Sequence, residues 1–454
     1  MLRSVNAGNL HAVRARSFIR GGLGTLRATL VCMARKFASE GAMSGNPVAG
    51  ISKTRSTDST RRREQHRQRP SRRLRGIDVA RAIAVVGMVM VHFGPTPAPD
   101  TALGNLYGLS HGRASVLFVL LAGVGVALLV SDRRDHSGQR SARSPALFRG
   151  RLVLRGAMLL PLGLWLEGLD HGALVILQYY AIYFLFLALV LTVPDRWLLV
   201  GGAAVLVGGP LVYLWAQSLA PELFARGETA SLDDPVGKIL DDLLLTGAYP
   251  LAVWATPLLI GMWIGRRDLS ATPVRWWLLI FGLTVAAGSA VAAALATNGL
   301  AASFAFDGLS PGEQPGGFAS LLTDRPHSQM PLWMLGSVGS ACAVLGGMLL
   351  LADLLPRVTW PLAATGQMAL TVYVSHLLLL AAYPELLRST EVPAAFLTVG
   401  VFMLLAVAAC TLWRRVLPRG PLEAALTAPW WALEHLVQLV RRLSNGRGRP
   451  GSRR

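Results

Sequence analysis

Ten apolar stretches, each long enough to cross a lipid bilayer, decide what this chain of 454 residues can fold into. Hydrophobic residues make up 52% of the chain and charged residues only 15%, which excludes an ordinary soluble enzyme. The stretches lie near residues 77–94, 114–131, 152–168 (interrupted by Pro161), 173–193, 196–216, 249–265, 276–297, 331–353, 363–382 and 393–413. Inside a bilayer the backbone must satisfy its own hydrogen bonds, so such stretches form helices. The sequence therefore predicts an all-α, polytopic integral membrane helix bundle.

The distribution of basic residues predicts how this bundle is oriented. Residues 1–76 contain 17 basic and 3 acidic residues, and residues 414–454 contain 9 and 2. Arginines also occupy the connectors after the second, fourth, sixth, eighth and tenth stretches, whereas the loop at 217–248 is mainly acidic. Because arginine and lysine concentrate on the cytoplasmic side of membrane proteins, we expect about ten transmembrane helices with both termini in the cytoplasm. The predicted location is the cell membrane.

The same pattern divides the chain into three parts. Residues 1–76 are expected to form a basic disordered tail, residues 77–415 the transmembrane domain, and residues 416–454 a cytoplasmic amphipathic helix with a basic tail. The basic tails suit contact with anionic lipid, and no nucleic-acid recognition fold accompanies them. The three cysteines lack the spacing of metal ligands, so no metal site is predicted.

The first apolar stretch carries polar residues near both of its ends. Asp78 and Arg81 are three residues apart, on one helical face, where they can form an ion pair. His92 follows Arg81 at a distance of roughly 16 Å along a helix, about half a bilayer. Polar groups are costly to bury in a membrane. The pattern favours either an anion-handling group at one end with a proton-handling group at the other, or an interfacial salt bridge with a capping histidine.

Histidines are concentrated at the predicted outer face of the membrane. His92, His376, His111 and the Asp170-His171 pair all fall there, although the chain holds only nine histidines. An imidazole is the natural general base near neutral pH. We interpret His92 as the first catalytic candidate, followed by His376 and His111. The alternatives are structural roles at the interface, including an aromatic belt around the Tyr373-x-x-His376 motif.

Two arginines at the entry to the third stretch predict a site for phosphate groups. Arg151 and Arg155 are four residues apart and therefore share one helical face. The planar guanidinium binds phosphate oxygens in a bidentate manner that lysine does not match. The alternative is a positively charged cytoplasmic anchor, which is harder to argue for Arg155 because it lies one turn inside the stretch.

These motifs resemble two related families of membrane proteins. The run Asp78-x-x-Arg81-x(10)-His92 is similar to the first-helix signature of the acyltransferase-3 family of membrane O-acyltransferases. The later run Gly366-x(6)-Tyr373-x-x-His376 resembles that family's Tyr-x-x-His motif. The first two stretches, including residues 112–118, are closer still to bacterial heparan-α-glucosaminide N-acetyltransferase-like proteins.

The resemblance implies an integral membrane acyltransferase. Such a protein would take an acyl group, expected to be acetyl, from acyl-CoA in the cytoplasm and pass it to a hydroxyl or amine of an extracytoplasmic glycan or glycolipid. It implies Arg151 and Arg155 as the donor-binding residues, no metal, and the following catalytic candidates: His92, Arg81, Asp78, His376 and His111.

One departure from the N-acetyltransferase branch leaves the catalytic histidine open. Animal members carry asparagine at the position of His92 and use a histidine in the first outer loop, where this chain has Leu103. Either His92 has taken that role or a shift of the loop has moved it to His111.

Two other classes of function stay open at this point. A transporter or lipid flippase would use Asp78, Arg81 and Glu167 as an intramembrane relay. A membrane scaffold would carry out no chemistry, and fold alone does not decide between these classes.

Overall fold

The computed structural model of the protein describes residues 74–96, 99–131, 145–225, 229–296 and 317–446. The predicted tail at 1–76 and the connector at 132–144 thus fall almost entirely outside the described residues. Across the described ranges the structure is helical and contains no strand, which confirms the all-α prediction there. The helices are α1 (Arg75–Phe93), α2 (Ala102–Gly108), α3 (Arg113–Ser131), α4 (Pro145–Glu167), α5 (Leu177–Val190), α6 (Asp195–Leu219), α7 (Pro221–Ala225), α8 (Val236–Asp241), α9 (Leu251–Gly265), α10 (Thr272–Leu295), α11 (Pro331–Leu354), α12 (Thr359–Gln367), α13 (Ala369–Ala382), α14 (Pro384–Leu387), α15 (Val392–Val416) and α16 (Pro421–Gly446).

Six segments of the described chain are long and apolar enough to cross a membrane, which makes this a multi-pass membrane protein. They are α1, α2 with α3, α6, α10, α11 and α15. Two bent pairs, α8 with α9 and α12 with α13, raise the number to as many as eight. The remaining two predicted spans correspond to α4, which contains three arginines, and α5, which has only 14 residues. The count of ten and the orientation stay predictions.

Burial separates the helices into an interior group and a peripheral group. More than half of the apolar window is buried in α1 and in α2–α3 (61% each) and in α11 (56%), against 22% in α6, α10 and α15. α1 packs against α3, α11 and α12, so it lies at the centre of the bundle. The peripheral helices expose leucine, valine and tryptophan side chains, as helices facing lipid do.

The ninth predicted stretch, 363–382, is divided into two helices. α12 and α13 meet at an angle of 76° around Met368. Two tertiary contacts hold the break. A Cβ on Gly366 would lie 1.7 Å from the carbonyl oxygen of Asp78, so only glycine allows α12 to approach α1 this closely. The carboxylate of Glu423 accepts hydrogen bonds from Thr371 N and Oγ1 at the start of α13, at 3.0 and 2.6 Å.

The amphipathic helix predicted after the last span is present as α16. Its beginning packs against α13 and α4 and supplies Glu423 to the break described above. Arg419, just before α16, lies over the Trp431 ring at 4.6 Å from the centroid. The first turns of α16 are therefore part of the bundle.

Candidate functional site

A hydrogen-bonded pair of histidines joins α1 to α13. His92 Nδ1 and His376 Nε2 lie 2.9 Å apart, and the rings are stacked with an interplanar angle of 14°. His376 is fully buried and His92 is half-buried. A hydrogen bond between two imidazoles needs one donor and one acceptor, so at least one ring is not doubly protonated. The second nitrogen of His92, Nε2, lies outside this bond and is the one left for chemistry.

Tyr373 fixes the position of His376. It lies one helical turn earlier in α13, with its ring 5.0 Å from the His376 ring, and its hydroxyl accepts a hydrogen bond from Ile176 N at 3.1 Å. Tyr373 is only 1% exposed. The alternative of an interfacial aromatic belt for this motif was therefore wrong, because both side chains lie inside the bundle.

His171 is a structural residue by its hydrogen bonds. Its Nε2 donates to Leu166 O at 2.8 Å, and its Nδ1 accepts from Ala173 N at 3.1 Å. These two backbone partners fix one neutral tautomer. Burial lowers the pKa of His171. Both ring nitrogens are occupied, so His171 shapes the loop between α4 and α5 and does not carry protons.

His111 lies apart from the histidine pair in hydrogen bonding. Its Nε2 is 3.3 Å from Thr96 Oγ1, and its ring is tilted against Tyr107. No hydrogen bond joins it to His92 among the residues that the structure describes. The structure thus brings His92 together with His376, and not with His111.

A fifth histidine, His327, enters the site without any signal in the sequence. It is half-buried on the loop before α11, with its Nδ1 atom shielded from solvent, and its ring lies 5.8 Å from Trp333 and 5.6 Å from Tyr249. Burial, with a smaller contribution from the charge of His111, lowers its pKa to about 4, so the imidazole is neutral. His327 is close enough to His92 for their charges to interact. We call the region of His92, His111, His171, His327 and His376 the histidine end.

The segment after α13 closes over the histidine end. Ser389 N donates to Phe93 O at 2.8 Å, next to His92, and Arg388 Nη2 donates to His171 O at 2.5 Å. Arg388 is also close enough to His92 for its charge to act on the imidazole. It was not a sequence candidate because its place depends on the turn around α14.

The predicted Asp78–Arg81 ion pair is confirmed, with Oδ1 and Nη1 2.8 Å apart. Asp78 is 2% exposed, and its second oxygen accepts from Gln367 Nε2 at 3.0 Å, so α1 and α12 share this carboxylate. The Arg81 guanidinium also faces α3, where a Cβ on Gly125 would lie 3.3 Å from Nη2. The pair therefore ties three helices together and leaves the guanidinium partly open.

Four arginines gather at this end of the bundle. Arg155 of α4 is close enough to Arg151, Arg81 and Arg419 for their charges to interact. Arg155 makes no hydrogen bond and no ion pair with any residue in the described part of the chain. Arg419 was missed because only the docking of α16 brings it here. We call Arg81, Arg151, Arg155 and Arg419 the arginine end; such a concentration of cations suits a polyanionic ligand.

A polar cleft of about 520 Å³ adjoins the histidine end. Its lining includes Glu167, Asp170, His171, Thr229, Ser231, Asp234 and Lys238. Glu167 accepts hydrogen bonds from Gln178 Nε2 and Val175 N, at 3.0 and 2.9 Å, and from Thr229. Hydrogen bonds from Ser231 N and Lys238 lower the pKa of Asp234. The hydrogen bonds of Glu167 thus go to the segments around α5 and the loop before α8, whereas Asp78 and Arg81 pair within α1.

The described residues contain no group of three histidine, cysteine or acidic side chains arranged to bind a metal ion.

Two protein-family models match the chain, and together they cover both ends of the site. The model described as "Heparan-alpha-glucosaminide N-acetyltransferase, catalytic" matches residues 73–299, half of the chain. One described as "Protein of unknown function (DUF418)" matches residues 266–431. The first covers His92 and the arginines of α1 and α4; the second covers His376. No individual curated protein matches the chain.

The fold and these matches define a multi-pass membrane protein of an acetyltransferase class. The chain belongs to the heparan-alpha-glucosaminide N-acetyltransferase family.

Proposed function

We propose that the protein moves an acetyl group from acyl-CoA at the arginine end to a hydroxyl or amine of a glycan or glycolipid at the histidine end. The arginine end would face the cytoplasm and the histidine end the outside of the cell membrane. The observation that carries this proposal is the His92–His376 hydrogen bond, located at one end of the same central helix whose other end holds Arg81. A base and an anion site are thus held on one rigid element.

The donor site rests on charge. Acyl-CoA carries several phosphate charges, and Arg81, Arg151, Arg155 and Arg419 supply cations from three separate segments. Arginine forks bind phosphate oxygens through paired hydrogen bonds. Arg81 and His92 are separated by roughly 16 Å along α1. The extended arm that joins the CoA nucleotide to its thioester would cover this distance, so the nucleotide could remain at the arginine end.

His92 is the proposed base, and His376 is the residue that positions it. With Nδ1 of His92 held by His376, Nε2 faces the acceptor. It takes the proton from the acceptor hydroxyl or amine as the acceptor oxygen or nitrogen attacks the thioester carbon. When the C–S bond breaks, the same proton passes to the departing thiolate, so the products are the acetylated acceptor and free CoA.

The cleft beside His171 is the proposed acceptor site. Its carboxylates, hydroxyls and Lys238 offer the hydrogen-bonding groups that a polyhydroxylated sugar needs. Because His171 is fixed by the backbone, the wall that this cleft shares with the histidine end is rigid. A sugar bound there would lie beside the proposed base His92, and His171 would remain neutral.

The test is transfer of radiolabelled acetyl from acetyl-CoA in proteoliposomes to a mixture of amino sugars and neutral sugars. We expect His92→Gln to lower the rate by about 10²–10⁴, the usual loss for a positioned general base, since glutamine keeps hydrogen bonding but takes no proton. The matched control is His435→Gln on α16, an exposed histidine remote from the pair.

Full activity of His92→Gln together with an inactive His111→Ala would move the base to His111 and contradict the assignment. If the wild-type protein carries sugar across the bilayer and never produces an acetylated product, the transporter class takes its place.

A further inference from the structure

Four buried polar atoms at the histidine end have no hydrogen-bond partner among the described residues. Three of them are His327 Nδ1, Trp333 Nε1 and Ser337 Oγ, and His376 Nδ1 is a fourth. Trp333 and Ser337 are 2% and 1% exposed and stand four residues apart on one face of α11. A buried polar group without a partner destabilises the folded protein, so the concentration of such atoms in one place needs a reason.

The contact between α1 and α11 shows where Trp333 and Ser337 lie along the bundle relative to His92. The two helices meet where a Cβ on Gly76 would lie 2.4 Å from Leu349 Cα. His92 is sixteen residues from Gly76, and Trp333 is sixteen residues from Leu349 in the opposite chain direction. With the same rise per residue in both helices, Trp333 is level with His92, and Ser337 lies about 6 Å nearer the arginine end.

The indole of Trp333 is held in place from several sides. Gly112 has a φ of +69°, and a Cβ there would be 2.7 Å from Trp333 Cζ2, so the ring packs directly on this turn. Trp254 lies 5.9 Å from the Trp333 ring on another side, and His327 lies 5.8 Å away. The Nε1–H donor is therefore fixed in a dry, aromatic environment.

We infer that Trp333 Nε1–H and Ser337 Oγ–H form an oxyanion-binding pair for the acetyl transfer; this rests on the proposed function. As the acceptor attacks, the thioester C=O opens to a tetrahedral centre with a negatively charged oxygen. The two donors receive that oxygen until the C–S bond breaks and the carbonyl forms again. No proton leaves either donor in this step.

The chemistry of the two groups fits this role. An indole nitrogen only donates, so its ligand must be a hydrogen-bond acceptor. Donors fixed beforehand in a site without water stabilise a developing charge far more than water-exposed donors do. Because His327 is neutral, it places no permanent positive charge beside the two donors. Such a charge would stabilise the thioester before the reaction as well as the transition state. The donors lie between the arginine end and the level of His92, where the thioester would arrive.

The decisive variant is Ser337→Ala. It removes a buried hydroxyl that has no partner, so we expect thermal stability to stay or rise. At the same time kcat for acetyl transfer should fall by about 10²–10³ with little change in KM for acetyl-CoA, the loss seen when one oxyanion donor is removed. Trp333→Phe should change kcat in the same direction.

Ser340→Ala is the matched control. Ser340 lies on the same helix, but its hydroxyl donates to Gly336 O at 2.8 Å. We expect its kcat to stay near that of the wild type. If Trp333→Phe does not fold, Ser337→Ala still decides the question.

The outcomes separate this inference from the proposed function. An active wild type with an equally active Ser337→Ala protein would show that the donors hold only a buried water, and the inference would fall alone. A rise in KM without a change in kcat would mean ground-state binding and would also overturn it. A wild type that binds CoA or sugar but transfers nothing would remove the proposed function and this inference together.

Discussion

The histidines at the histidine end differ in what holds their ring nitrogens, and the proposed proton carrier is chosen on this difference. His171 has both nitrogens bonded to the backbone, whereas His92 shares Nδ1 with His376 and its Nε2 lies outside that bond. Residue type alone made His92, His376 and His111 comparable candidates. Only the hydrogen bonds distinguish them.

Stability should depend on pH through His327 and His171, because burial lowers the pKa of both, to about 4 for His327. The unfolded chain, with a histidine pKa near about 6.5, takes up protons that the folded protein excludes. Their contribution is therefore complete above about pH 6.5 and lost as the pH falls toward 4, by up to about 3 kcal/mol for His327. Melting temperatures in detergent should fall between pH 7 and 4.5.

His327→Gln should flatten this decline, whereas the exposed His435→Gln should leave it unchanged. An identical pH dependence in His327→Gln and wild type would contradict the buried neutral state.

Substitution of Arg155 tests the proposed donor site by removing a single positive charge. We expect Arg155→Ala to weaken acyl-CoA binding by about 1.5–3 kcal/mol, roughly 10- to 150-fold in Kd, the range for a charge-assisted hydrogen bond. Arg155→Lys should recover only part of the loss, since the fork is missing. Calorimetry with acetyl-CoA measures both.

Arg149→Ala is the control, because Arg149 Nε already donates to Ala188 O at 3.0 Å on the same helix. Equal Kd values for Arg155→Ala and Arg149→Ala would return Arg155 to the role of a membrane anchor.

At the scale of elements, the hydropathy of the sequence predicts the positions of most helices. The break between α12 and α13 instead depends on tertiary contacts. The stretch at 363–382 is apolar enough as a whole to cross a membrane, so the sequence predicts one spanning segment there. The break depends on Asp78, Gln367 and Glu423, which are far from one another in the chain. Arg419 and His327 were missed for the same reason, since each reaches the site through a distant turn or docked helix. The Asp78–Arg81 pair was predictable because its geometry is local to one helix.

Gly366→Ala should show how much the break matters. The added Cβ would lie 1.7 Å from Asp78 O, so α12 must move away from α1. We expect a loss of about 1–3 kcal/mol in stability, typical of overpacking, together with weaker acyl-CoA binding because the Asp78–Arg81 pair shifts. Thermal melts and calorimetry measure the two effects.

Gly400→Ala in α15 is the matched control. A Cβ at that position meets nothing within 4 Å, so the change should be neutral or stabilising by about 0.5–1 kcal/mol. If Gly366→Ala behaves like Gly400→Ala, the close approach of α12 to α1 is not essential to the fold.

At the scale of the whole molecule, the number of membrane crossings is eight or ten depending on whether α4 and α5 each span the bilayer. Midway along α4 lies Arg155, close enough to Arg81 for their charges to interact, and just after the end of α4 comes His171, which is close enough to His92 to affect it electrostatically. α4 therefore runs between the same two ends as α1. α5 returns, because Ile176 N bonds Tyr373 beside the histidine pair and Ala188 O accepts from Arg149. The arginines on α4 make it more polar than the six segments that are clearly long and apolar enough to cross a membrane.

Labelling of introduced cysteines tests this arrangement in a parent protein whose three native cysteines are replaced. The positions are Ala146, before the arginines of α4, and Asp170 and Asp233, near the histidine end; all three are exposed. With arginine-rich connectors inside, we expect a membrane-impermeant thiol reagent to label Asp170→Cys and Asp233→Cys in intact cells. Ala146→Cys should react only after lysis. Labelling of Ala146→Cys and Asp170→Cys from the same side would mean that α4 does not cross the membrane. The proposed separation of a cytoplasmic donor from an external acceptor would then be wrong, whatever the activity of the histidine variants.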